Sequence, residues 1–162
     1  MAELTQIETK IAEVIGLAQA AQGATEKVSK LVEDGGLKQT LEQMHREAVE
    51  TEERTTQVAE NLDGKKTAIL EKASETKQEA TQMMSTYLGS DADGLDGLEF
   101  MTMAEAGEVG HWQILDTMNQ KARNQELQQV IDWATPIQER HLDEALRGSL
   151  KLAAEEDPNE PA

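Results

Sequence analysis

The sequence predicts an all-α fold, and three observations carry the prediction. Aromatic residues make up 2% of the chain, represented by Tyr87, Phe100, Trp112 and Trp133. Ala, Glu, Gln, Lys, Leu and Met, the residues that lose least on entering a helix, dominate the composition. Val, Thr and Ile are scattered at helical spacings rather than alternating as a strand requires. A chain of 162 residues is most naturally one domain, read here as residues 1–152. Residues 153–162 form an acidic, proline-containing tail that is expected to be disordered.

The elements follow in order. A first helix is expected from about Leu4 to Glu33, with Ile7, Ile11, Val14, Ala18, Ala21, Val28 and Val32 on one stripe. Asp34-Gly35-Gly36 supplies C-cap chemistry to end it. A second helix from about Leu37 to Leu62 turns Leu41, Met44, Ala48, Thr55, Val58 and Leu62 inward, and Asp63-Gly64 closes it. So short a connection makes the two an antiparallel hairpin. A third helix, roughly Lys65 to Leu88, carries Ile69, Ala73, Ala80, Met83 and Tyr87 beside broad polar faces, which suits a peripheral or crossover position.

Residues 89–97 form a loop. Leu95 stands where a third carboxylate would follow Asp91 and Asp93, so the calcium-loop pattern fails. Asp96 is read as a helix cap and its neighbours as turn formers. A fourth helix is expected over about Leu98 to Ala122 and a fifth over about Glu126 to Leu152.

Charge and composition exclude several functions. The net charge of −17 opposes DNA, RNA or an anionic membrane surface as partner. The chain has no cysteine, hence no disulfide, thiolate metal site or thiol nucleophile. No apolar run approaches membrane-spanning length, and the polar opening MAELTQIETK is unlike a signal peptide, so a cytoplasmic location is expected. Hydrophobic content of 38% implies a thin core. Part of the stripe is then left for a partner subunit, a homodimer being the simplest case.

The three histidines focus the search for a site. Each has Glu or Gln three residues before it: Glu42/His45, Glu108/His111 and Gln138/His141. At that spacing both side chains leave a helix on the same side and can bind one metal ion. In the fourth helix, Glu105 and Glu108 fall in the middle of the face defined by Leu98, Met101, Trp112 and Leu115, with His111 at its edge. Carboxylates on an apolar stripe need compensation, which a metal ion supplies. In the fifth helix Gln138 and His141 share the arc of Leu127, Val130, Ala134, Ile137 and Ala145. Pro136 either kinks that helix near His141 or begins a fresh one capped by Thr135. In the second helix His45 is at the stripe edge, Glu52 is near its centre and Glu42 lies off it. Glu3, Glu8 and Glu13 all fall off the stripe of the first helix. A hydrogen-bonded core pair, Gln138 with His141, is the plain structural alternative.

Two stretches carry a resemblance: Met103-Ala-Glu-Ala-Gly-Glu-Val-Gly-His111-Trp112 and Pro136-Ile-Gln-Glu-Arg-His141-Leu-Asp-Glu-Ala145. With the hairpin over 37–62 and its Glu50-Thr51-Glu52-Glu53 run, the chain resembles the ferritin-like superfamily, closest to its bacterial stress-response and rubrerythrin-like five-helix members. The resemblance implies an antiparallel four-helix bundle with an additional crossover helix. It further implies iron or manganese as cofactor, bound as one ion, two ions or none, and oxygen or peroxide reduction coupled to metal oxidation. Glu108 matches the glutamate of the fourth helix, His141 the histidine of the last, and Gln138 stands where a glutamate is expected. His45, Glu52 and His111 complete the candidate metal set, with Glu105 as a supporting or alternate carboxylate. The first helix lacks its glutamate, a departure that also admits a non-catalytic interaction bundle with a degenerate site. Gly148-Ser-Leu-Lys151 is similar to the tails by which cargo proteins dock inside encapsulin shells. That similarity adds a shell protein to the expected partners, the alternative being a last helical turn.

Overall fold

The computed structural model describes residues 2–161, which contain five helices and no strand. They are α1 (Gln6–Ser29), α2 (Gly35–Glu60), α3 (Lys66–Tyr87), α4 (Gly94–Ala122) and α5 (Gln125–Ala153). The all-α expectation holds. No described helix is long and apolar enough to cross a membrane.

Local chemistry sets the ends. Thr5 starts α1 with a reciprocal capping box to Glu8. Asp34 does not close α1 as C-cap chemistry suggested; its side chain accepts from the Leu37 amide and starts α2. Gly64, at φ +68°, turns the chain into α3. The cap of α4 is Asp93, not Asp96. Asp96 is its capping-box partner, and the helix therefore begins four residues earlier than the apolar pattern indicates. Pro136 lies inside a continuous α5, so no fresh helix begins at Thr135.

Two hairpins, α1/α2 and α4/α5, pack side by side, with α1 on α4 and α2 on α5. Gly94 at the start of α4 lies against Leu31 and Val32 at the end of α1, so that pair is antiparallel. Lys151 near the end of α5 pairs with Asp34 at the start of α2, and Asn61 with Glu126 at the opposite end, so the second pair is antiparallel too. The remaining helix, α3, spans the length between the hairpins and packs outside α1. It is anchored by Ala68, Ile69 and Ala73, its only buried residues.

The core is divided. One apolar cluster gathers Ile15, Val58, Ile69, Trp112, Leu115 and Ile131 at one end of the bundle. Another gathers Val28, Leu41, Met44, Leu98, Met101 and Ala145 at the other. Between them α2 buries Thr51 and Thr55, α4 buries Glu105 and Glu108, and α5 buries Gln138 and His141.

Gly148, Ser149 and Lys151 belong to α5 and are committed to its packing. A side chain at Gly148 would meet Leu98 at 2.9 Å, Ser149 hydrogen-bonds Ala145 and Thr102, and Lys151 pairs with Asp34. A docked peptide of this sequence would have to leave those contacts. Beyond Ala153 the described residues are exposed turns.

Candidate functional site

Four buried polar residues meet between α4 and α5, midway along the bundle: Glu105 at 1% exposure, Glu108 at 5%, Gln138 at 3% and His141 at 2%. Helical periodicity places them there. Glu105 and Glu108 sit between Met101 and Trp112 on the inward face of α4, and Gln138 and His141 sit between Ala134 and Ala145 on that of α5. Gln138 Nε2 donates to Glu108 Oε2.

The imidazole of His141 stands between two carboxylates. Its Nδ1 is 3.6 Å from Glu105 Oε2, and its Nε2 is 3.6 Å from Glu47 Oε1 on α2. Arg140, next to His141 in sequence, reaches Glu47 Oε2 from the surface side and also pairs with Glu144. The island thus runs from Glu108 through Glu105 and His141 to Glu47 and, at the surface, Arg140.

Burial pushes the Glu108 carboxyl well above the ordinary glutamate range, and Glu105 beside it pushes the same way. The hydrogen bond from Gln138 opposes both without overcoming them. Three ligand-type atoms have no hydrogen-bond partner although buried: Glu47 Oε1, Glu105 Oε2 and His141 Nε2.

The other expected ligands lie elsewhere. His45 Nδ1 is 3.1 Å from Gln22 O and from Thr25 Oγ1, on the seam with α1. Glu52 accepts from Gln19 and Gln22 of α1 at 2.8 and 2.6 Å. His111 binds the Gly107 carbonyl through Nδ1 at 2.8 Å and faces Glu13 at 3.5 Å, turned away from the Gln138 side of Glu108. Among the described residues, no three His, Asp or Glu side chains converge as ligands of one ion.

Glu47 and Arg140 were not singled out from the sequence. A signal existed for Glu47, which follows buried Met44 by three residues and precedes buried Thr51 by four. Arg140 carries no such signal, because its guanidinium reaches Glu47 across the helix seam.

No family model, curated protein or solved structure matches the chain.

Proposed function

We propose that this chain is a ferritin-like bundle that serves as a non-catalytic binding module, its interior polar island balanced by protons and ion pairs rather than by a di-metal centre. The topology supports the ferritin-like part, since two helical hairpins joined by a connection that spans the bundle is that superfamily's arrangement.

The engagement of the donor set carries the rest. A di-metal centre uses a glutamate from each of two helices and Glu-x-x-His from each of the other two. Here α1 offers Gln19 and Gln22, and both are bonded to Glu52. Burial pushes the Glu108 carboxyl up and Gln138 already donates to it, and Arg140 already pairs with Glu47. His45 and His111 face other partners. The residues present do not fit two ions.

A second reading rests on one observation. Glu47 Oε1, Glu105 Oε2 and His141 Nε2 are buried without hydrogen-bond partners, and their donor types are those a single Fe or Mn ion takes. Such an ion would supply redox chemistry toward oxygen or peroxide, with Glu47, Glu105 and His141 as its holders. The Arg140 guanidinium on Glu47 opposes a cation there, which favours the first reading.

Metal analysis by plasma mass spectrometry decides between them, on untagged protein from cells grown with added iron and manganese. The binding-module reading expects far less than one equivalent of either metal. A near-stoichiometric ion that is lost in His141→Ala would overturn it in favour of the single-ion site. Sizing of the same sample tests a homodimer, and co-expression with a shell protein tests docking through residues 148–151.

A further inference from the structure

A cleft of about 300 Å³ opens on the other side of the α4 acids, between α1, α3 and α4. Its origin is visible in how α3 is held. At Gly16 the two helices approach so closely that a Cβ would sit 2.4 Å from the Ala73 carbonyl oxygen. Past Ala73, α3 buries no further side chain, and it shares no extensive face with α4. The gap left there is walled by Ala20, Ala21, Ala24, Ala80 and Ala104, none large enough to fill it.

Met83, Met84, Met101 and Met103 supply much of the remaining wall. Unbranched thioether chains adapt to varied apolar shapes. The ionisable residues along the cleft are Glu105, Glu108 and His111, and no Lys or Arg lines it. Glu105 is 1% exposed, and its Oε2 has no hydrogen-bond partner among the described residues. Glu108 accepts from Gln138 through Oε2. An apolar cleft bordered by two buried acids, with neither Lys nor Arg in its wall, suits a cationic head better than an anionic one.

We infer that this cleft is a binding site for a small apolar amine, whose hydrocarbon body lies among the alanines and methionines and whose ammonium group meets Glu105 and Glu108. The volume suits a ligand of about a dozen non-hydrogen atoms. Fatty acids of the same length are excluded by charge. The inference deepens the binding-module reading and rests on it in one respect, that Glu105 is not occupied by a metal ion.

The test uses the full chain labelled with 13C-methyl methionine and titrated with n-octylamine, 1-octanol or octanoate, three probes that share a chain and differ in the head. The expected result is saturable movement of the Met83, Met84, Met101 and Met103 methyls, with Met44 and Met118 unmoved. Octylamine should bind about tenfold more tightly than octanol, as a charge-assisted contact implies, and octanoate should not bind. Glu108→Gln should reduce that preference and Ala104→Phe should abolish binding, each checked for unchanged helicity. Equal binding of all three probes overturns the inference, as does movement confined to other methyls or none in the wild-type chain. Metal analysis of the same sample separates the two failures. Stoichiometric metal defeats the underlying reading, whereas metal-free protein that ignores octylamine defeats the inference alone.

Discussion

His141 holds its Nδ1 3.6 Å from Glu105 Oε2, and the two side chains are almost wholly removed from solvent. Glu47 faces the other ring nitrogen, so the imidazole ties α2, α4 and α5 together at the level where the apolar core is interrupted. Removing one partner of such a buried set leaves the others uncompensated. His141→Ala and Glu105→Ala should each lose about 3–5 kcal/mol in denaturant unfolding. The double variant should lose less than the sum by about 1 kcal/mol or more. Strict additivity would show that the two residues do not act on one another.

Glu108 gives the chain a pH dependence of definite sign. Its carboxyl is raised in the folded state, first by burial and then by Glu105, so the folded chain keeps a proton that the unfolded chain has lost. Across the window between the ordinary glutamate value and the raised one, stability falls by about 1.4 kcal/mol per pH unit. Below that window both states are protonated and the penalty is absent. Glu108→Gln mimics the neutral acid and still accepts from Gln138. Its Tm should match the wild type near pH ~4 and exceed it increasingly as the pH rises through that window, by a few degrees for each kcal/mol. A wild-type advantage that grows with pH would show that Glu108 is buried as a carboxylate.

Two glycines of α1 should respond oppositely to alanine. At Gly16 the new methyl meets the Ala73 carbonyl at 2.4 Å and Thr76 Cβ at 2.7 Å, and a backbone atom cannot yield without moving α3. A loss of about 1–3 kcal/mol is expected. Gly23 has nothing within 4 Å of the same atom, so Gly23→Ala should gain about 0.5–1 kcal/mol from helix propensity alone. Thermal unfolding of the two variants checks the pair, and equal effects would mean that the α1–α3 approach is looser than this geometry requires.

A net charge of −17 makes self-repulsion a general load on the folded state. Ion pairs exposed on both sides, such as Arg54–Glu50 and Lys66–Glu60, contribute little. Screening should therefore stabilise the protein, with Tm rising by several degrees as the Debye length contracts from about 30 Å at 0.01 M salt to below 8 Å. A falling Tm would mean that the ion pairs outweigh the repulsion.

The sequence by itself determined five helices and the inward azimuth of Glu105, Glu108, Gln138 and His141. A repeat of 3.6 residues fixes direction about a helix's own axis whatever lies beside it. Glu52 near the centre of its stripe and Glu42 outside it were legible for the same reason, and the structure finds Glu52 half-buried and Glu42 exposed. Periodicity does not fix the neighbour that an inward or bordering side chain meets, nor the level at which two helices are matched. Tertiary structure alone decided that His141 faces Glu47 and Glu105, that His45 turns to α1 and that His111 turns to Gly107 and Glu13. The cleft was hidden for a related reason. It exists because α3 is drawn against α1 at Gly16 and stands away from α4 beyond Ala73, a relation between helix axes that no single helix encodes.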